Sequence, residues 1–416
     1  MVKNRYSHLK FINLIIKDLN QFSLNSEENK EAIANLSKNL FPSRKEEIWK
    51  YTPFKKFKKI NFHNQENFKI KGLDTFNLPN LDGIVIVFEN GRDNSKLSRI
   101  VETDEIDISF SSDIFPSNNF QTIKKNNYFT SLNSSFLTNS VLVNVNSNTK
   151  ISKNLNFINI VSSDNCLSNT KFSIVLNDNS NINLRQYFLG NSSISNGFIN
   201  HENNIYLNSS SSLSIDKFQD LNNNFNFCNE FITQKNDSKF IMNTFSCSGI
   251  VVRNDIISDV NGENCHTELN GVFSPTKNEH IDNHTTINHL VPNCKSFENY
   301  KGVLKENGVG VFNGKVIVHQ DAQKIEAFQK NNNILIDQDS IIYSKPELEI
   351  YADDVKCSHG STTGQFDDEA LFYLRSRGLS IKKSLQLMTL GFINEVIQKT
   401  SNLEYVDFVL KRLLKE

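Results

Sequence analysis

Asn177-Asp178-Asn179-Ser180 reads as a turn, and Ile182 and Leu184 behind it, with Asn183 between them, read as the start of a strand. The pattern returns at Asn208-Ser209-Ser210, followed by Leu213 and Ile215, and similar turns stand at Asn146-Ser147-Asn148 and Asn236-Asp237-Ser238. These four turns begin 31, 31 and 28 residues apart. A strand-bearing unit that recurs at such a spacing is the mark of a solenoid, because one unit cannot bury its apolar face alone and must stack on its neighbours. From about residue 140 to 360 glycines are few and no long amphipathic helix intervenes, which argues against strand–helix–strand units. The expectation is a mainly β chain with a parallel β-helix core. Its rival is a two-sheet sandwich of many short strands.

The flanks read differently. Leu9, Ile12, Ile16 and Leu19 fall at helical spacing, and Asn25 stands three before Glu28 like a capping box, ahead of Ile33, Leu36 and Leu40. Phe41-Pro42-Ser43 ends that helix, since a proline disfavours helical geometry in the residue before it. Gly83 to Phe88 is a short β run, and Asn90-Gly91 behind it signals a hairpin. Near the other end, Asp367-Asp368-Glu369 suit a helix N-terminus, Arg375 and Arg377 suit its end, and Gly378 suits its stop. Two further helices follow, one striped by Leu385, Met388, Phe392 and Val396, the other by Leu403, Val406, Leu410 and Leu413. The division expected is a helical region over 1–80, a β-rich region with the β-helix core over 81–362, and a C-terminal helical domain over 363–416.

Composition narrows the function. The 416 residues hold 45 Lys and Arg against 46 Asp and Glu. That balance removes the electrostatic case for nucleic-acid binding, which depends on basic side chains displacing counterions. The one local basic run, Phe54 to Lys59, reads more simply as a solvated loop or helix end. No apolar stretch approaches the roughly 18 residues that span a bilayer, and no secretory leader is legible. The six cysteines (Cys166, Cys228, Cys247, Cys265, Cys294 and Cys357) form no C-x-x-C pair, which suits reduced thiols in a cytoplasm.

The sharpest chemistry lies in Val355-Lys356-Cys357-Ser358-His359-Gly360. If this stretch is extended, Cys357 and His359 share a face, because strand side chains alternate. A thiolate and an imidazole suit iron, zinc or copper, but two ligands do not close a site that needs four. His280, His284 and His289, with His319, Cys265 and His266, are scattered further candidates. A helix is the geometry expected to bring His280 and His284 together. No G-x-x-x-x-G-K-S/T loop, no G-x-G-x-x-G turn and no G-x-S-x-G elbow is present, so any ATP dependence must come from another subunit. A carbohydrate-active β-helix enzyme would need carboxylates along a groove and usually a leader, and a metal-dependent hydrolase would need zinc-ligand spacing. Neither is legible.

The run VKCSHGSTTGQFDDEALFYLRSRGLS (Val355 to Ser380) resembles the end of the β-helix and the start of the C-terminal helices in the SufB/SufD family of SUF iron–sulfur cluster assembly scaffolds, in its SufD branch. YKGVL (Tyr300 to Leu304), GVFNGKVIV (Gly310 to Val318), DAQKIEAFQKNNNILI (Asp321 to Ile336), PELEIYADD (Pro346 to Asp354) and RKEEIWKYTPF (Arg44 to Phe54) are similar to it as well. Ile325, Asp337 and Ser361 depart from the usual family residues without touching Cys357 or His359. The resemblance implies a right-handed parallel β-helix between helical regions and a non-enzymatic scaffold. It implies pairing with SufB through the β-helix end and docking of the SufC ATPase on the C-terminal helices. Cys357 and His359 would then be ligands of a nascent iron–sulfur cluster shared with SufB. Neither membrane nor nucleic acid is among the implied partners. Flavin binding and a homodimer of the isolated chain are left open.

Overall fold

The computed structural model describes residues 32–36, 41–101, 103–111, 127–400 and 402–414. Among them nineteen strands form two sheets, one of ten and one of nine. Successive strands alternate between the sheets, so each sheet pairs every second strand in parallel. Asn181, Ser212, Lys239, His266, Lys295, Glu326 and Lys356 stand in register, one per rung and 27 to 31 residues apart. This is a parallel β-solenoid, and the rung length is the period legible in the turns. Two antiparallel pairs mark its beginning. Ile84–Glu89 turns through Asn90 (φ 52°) and Gly91 (φ 85°) onto Arg92–Asp93, and Ile106–Ser111 pairs with Asn139–Val145.

The asparagine-rich corners have a backbone cause. Asn148, Asn179, Ser210, Asp237, Asn264 and Asn293 repeat down one corner with φ between 57° and 63°. That left-handed conformation clashes with most side chains, whereas Asn and Asp tolerate it by bonding locally. The corners also bond to each other. Asn148 N donates to Asp178 O at 2.9 Å, Asn179 N to Ser209 O at 2.9 Å and Asp237 N to Glu263 O at 2.8 Å.

Three apolar clusters result. The largest fills the lumen between the sheets, from Ile84 and Ile86 to Ile325 and Ala327. The lumen also holds polar groups that satisfy one another, foremost Lys217 Nζ, 2.7 Å from Glu230 Oε1 and 2.8 Å from Asn254 Oδ1, with neither ion exposed. The second cluster lies outside the ten-stranded sheet and the third outside the nine-stranded sheet.

On the nine-stranded side, Trp49, Phe54, Phe57 and Phe62 join helix α1 (Tyr128–Ser135) over Phe198, Phe225 and Phe227. Between 41 and 80 the chain makes short 3-10 turns rather than the longer helices expected there: Glu47–Trp49 and Phe57–Lys59 lie on this side, and Leu73–Phe76 sits over the second cluster, on the ten-stranded side. Prolines at 42, 53 and 79 interrupt this stretch, and its aromatic side chains find their partners on the sheets. Residues 32–36 are helical and bury Leu36. The expected helix over Leu9–Leu19, the Asn25–Glu28 cap and Leu40 lie outside the described residues.

The C-terminal helices are α2 (Asp368–Ser376), α3 (Ile381–Ile397) and α4 (Leu403–Leu413). Asp367 caps α2 by accepting from Glu369 N, and Gly378 follows with φ 91°. Helix α3 runs over strands His266–Phe273 and Lys295–Leu304, and α4 over Lys239–Ser248, so the chain doubles back along the solenoid. The buried line on α3 is Ser384, Thr389, Ile393, Val396 and Ile397, and on α4 it is Tyr405, Phe408, Val409 and Leu413. Of the expected stripes Val396 and Leu413 are buried and Phe392, Val406 and Leu410 pack at the margin, but the most buried line is turned from them because a flat sheet face covers the helices. Leu403 is accordingly 82% exposed. Polar pins hold them down: Lys301 Nζ to Glu395 at 2.8 Å, Lys399 Nζ to Glu268 at 2.6 Å, and Arg412 Nη1 to Asp220 at 2.8 Å.

Candidate functional site

The last rung consists of Ile341–Ile350 and Val355–Gly364, each the end strand of its sheet and bonded along one side. An unpaired strand edge presents a row of free backbone donors and acceptors, a template for another chain. Ile341, Ile350 and Tyr351 are exposed at this end, Tyr351 to 62%. Cys357 stands opposite Ala327 and His359 opposite Gln329. The strand is extended, so the two share a face, and it is the inward one: Cys357 packs against the lumen core. His359, with no rung above it, is exposed.

Beneath His359 the same column continues through Gln329 to Glu298, one rung apart each. Gln329 Nε2 donates to Glu298 Oε2, and both side chains are buried. An added Cβ on Gly314 of the facing sheet would come within 2.2 Å of Gln329 Nε2, so the lumen is filled here. Burial pushes the Glu298 carboxyl up to about 7, against the hydrogen bonds of Thr285 and Gln329. Partial burial also pushes the Cys357 thiol up, against the backbone N–H of Ala327. A metal would therefore displace the proton of Cys357 rather than meet a ready thiolate. On the outer side, Phe297 and Phe328 stack at 5.8 Å in a groove of about 620 Å³ that also touches His359 and Lys399.

The other candidates are dispersed. His280–His289 is a strand, not a helix. His280 and His284 do share a face, because residues four apart coincide at a period of two as well. With Asp282 they look outward, and His289 looks inward onto Ser296 Oγ at 2.9 Å. Burial pulls His280 and His289 down to about 4, so both are neutral. His319 is an exposed corner residue, His266 sits 3.5 Å from Glu268, and Cys265 is buried in another corner. Among the described residues no three His, Cys, Asp or Glu side chains converge on one point. What remains is one soft sulfur and one imidazole on an open edge, an incomplete ligand set that a second molecule would have to finish.

A second constellation, centred on Arg253, ties the Arg44–Phe54 stretch to this end. The guanidinium donates to Asp255 twice at 2.8 Å, to Asp282 Oδ2 at 2.8 Å and to Thr52 Oγ1 at 2.9 Å. It also lies 3.9 Å from the ring centre of Trp49. Asp282 Oδ1 is 2.8 Å from His284, and Asp282 is held far below the usual carboxylate range, with the His284 and Arg253 charges overcoming its burial. Two contacts carry the stretch onto the terminal rung: Tyr51 stacks on Tyr343 at 4.0 Å, and Lys345 Nζ lies 3.1 Å from Glu47. Neither the Arg253 hub nor the Glu298–Gln329 column was found in the sequence. The column had a signal, since 298, 329 and 359 are spaced by the rung period. The hub had half a signal: Arg253 and Asp282 stand one rung apart, as do Asp255 and His284, whereas Thr52 lies 201 residues before Arg253.

Residues 156–392 match the family described as SUF system FeS cluster assembly, SufBD core domain. The chain is 39% identical to the iron–sulfur cluster assembly protein SufD of Escherichia coli over 162 residues, 39% of this chain and 38% of that protein. A SufBD family iron–sulfur cluster assembly protein of Synechocystis is 25% identical over 381 residues, 86% of this chain and 83% of that one. The chloroplastic protein ABCI7 of Arabidopsis thaliana is 30% identical over 178 residues, 42% of this chain and 38% of that protein.

Proposed function

This chain belongs to the SufBD family of SUF-system iron–sulfur cluster assembly proteins, and on that premise we propose that it is the SufD-type, non-catalytic scaffold subunit of a cytoplasmic SufB–SufC–SufD complex. The observation that carries the proposal is the open terminal rung. Cys357 and His359 share one face of a strand whose outer edge is unpaired, and no third ligand lies within reach in the described residues. A SufB-type chain docked edge to edge would satisfy the free backbone groups and bring the remaining ligands for a nascent iron–sulfur cluster. Iron and sulfide are cargo in this scheme, held briefly and passed on.

In the same scheme residues 363–416 are the docking region for the SufC ATPase, 81–362 the β-rich scaffold and 1–80 its N-terminal cover. Helix α2 supports the docking role. It buries no residue, and Phe372 and Tyr373 stand 73% and 57% exposed. The test is the iron and acid-labile sulfide content of the co-purified complex with Cys357→Ala, His359→Ala and the double variant. Loss of cluster with subunit association intact is the expected outcome. Wild-type iron and sulfide in the double variant would refute the assignment.

A further inference from the structure

One column of the solenoid does a purely structural job in three rungs and changes chemistry in the next two. Ser180, Ser211, Ser238, Cys265 and Cys294 stand in successive rungs at the same corner, linked by their backbones. Ser212 N donates to Ser180 O, Lys239 N to Ser211 O, His266 N to Ser238 O and Lys295 N to Cys265 O, at 2.8 to 3.0 Å. Each side chain points inward and donates to a corner carbonyl where one is in reach. Ser180 Oγ bonds Asn177 O at 2.6 Å, and Ser211 Oγ bonds Asn208 O at 2.6 Å. Cys265 Sγ bonds Lys235 O at 3.0 Å, and Cys294 Sγ bonds Gly262 O at 3.2 Å. Serine thus fulfils the packing and hydrogen-bonding requirement of this position. Cysteine in two consecutive rungs adds something the fold does not need.

We propose that Cys265 and Cys294 form a dithiol site that hydrogen peroxide oxidises to a disulfide, covalently joining two neighbouring rungs. Adjacent strands lie about 4.8 Å apart, inside the roughly 4.4–6.8 Å between Cα atoms that a disulfide bridges. The two thiols already interact. The hydrogen bond from Cys294 holds Cys265 down to about 7, and the same contact raises Cys294. Cys265 is therefore the thiol that ionises, releasing to solvent the proton it shares with Lys235 O, and Ser238 Oγ at 3.4 Å can turn its hydroxyl toward the anion. The thiolate attacks one peroxide oxygen, the O–O bond breaks, and the departing hydroxide takes a proton to leave as water. Cys294 sulfur then attacks the resulting sulfenic acid, the S–O bond breaks, and the oxygen leaves as a second water with the thiol proton. Two thiols lose two electrons and one peroxide gains them. Cys166 and Cys228 contrast with Cys265, since burial drives their thiols up to about 12 and about 11.

The site is independent of the role given to Cys357, and its test is direct. The full chain is treated with one to a few equivalents of hydrogen peroxide, alkylated under denaturing conditions and digested without reductant. The expected result is a peptide cross-linked through Cys265 and Cys294, with these two of the six thiols lost to alkylation whatever the state of Cys357. Cys265→Ser should abolish the cross-link, and Cys294→Ser should leave a sulfenic acid on Cys265 that dimedone traps. Because serine occupies three equivalent rungs, both variants should fold and melt like the parent. If Cys265 and Cys294 are both fully alkylated in the unsubstituted chain after Cys357 has been oxidised, the proposal is wrong.

Discussion

Replacing Arg253 with alanine should loosen the whole N-terminal cover. The guanidinium is 1% exposed and reaches Asp255, Asp282, Thr52 and the face of Trp49. Its loss leaves Asp282 completely buried and short of its strongest donor, although Thr52 Oγ1 at 2.7 Å and His284 at 2.8 Å remain. Asp255 is partly exposed and can turn to water, so its share of the loss is small. Breaking one side of a buried ion pair costs about 3–5 kcal/mol. The cation–π contact adds roughly 1 kcal/mol, and the donors left on Asp282 return a similar amount, for a net near 4 kcal/mol. The assay is built into the chain, since Trp49 is its only tryptophan. Arg253→Ala should shift Trp49 emission to the red, make it quenchable by iodide and lower the melting temperature, while the far-ultraviolet β signal persists. Arg253→Lys should recover little, because an ammonium cannot make the paired bonds to Asp255 and still reach Thr52 and Asp282. An alanine variant with unchanged Trp49 emission and melting temperature would refute this account of what holds the cover down.

Three further outcomes follow from named groups. Glu298 has its carboxyl raised from an ordinary 4.5 to about 7 by complete burial, so its neutral form is favoured by folding. The stability this confers is complete below pH 4.5 and lost as pH rises through 7. Melting from pH 5 to 8.5 should show up to about 3 kcal/mol of decline that Glu298→Gln removes, and parallel profiles would refute the assignment. Lys217→Met should destabilise by about 3–5 kcal/mol because Glu230 is left charged and fully buried, whereas Lys217→Met with Glu230→Gln should recover most of it; equal melting temperatures for the single and double variants would contradict this. Phe372→Ala with Tyr373→Ala should weaken capture of the SufC-type ATPase without altering the melt, because neither side chain is buried in this chain. Full capture would move the docking surface off α2. Cutting the chain after Gly378 is a poorer test, since it would uncover Tyr187, Phe218, Phe245, Val272 and Val303 beneath α3 and α4.

The sequence by itself determined the solenoid, because its information is local and repeated. Asn148, Asn179 and Asp237 mark corners that need left-handed backbone, and alternation such as Ile182/Leu184 marks the strand faces. Together they specify a rung, and equal rungs stack whatever lies beyond them. The Cys357–His359 pair was legible for the same reason, as two residues on one strand share a face by period alone. Helix existence and capping near Asp367, Gly378 and Ser380 were likewise local. Tertiary structure alone decided what covers each sheet. Helices α3 and α4 could bury several stripes almost equally well, and the flat face of Phe218, Phe245 and Val272 selected Ile393, Val396, Tyr405 and Phe408. It alone joined Trp49 and Thr52 to Arg253 and Asp282, because contacts across some 200 residues leave no periodic trace. It also decided that Gln329 and Glu298 are the side chains beneath His359, since the rung period narrows a column to a few positions and the corner lengths, which vary from rung to rung, select among them.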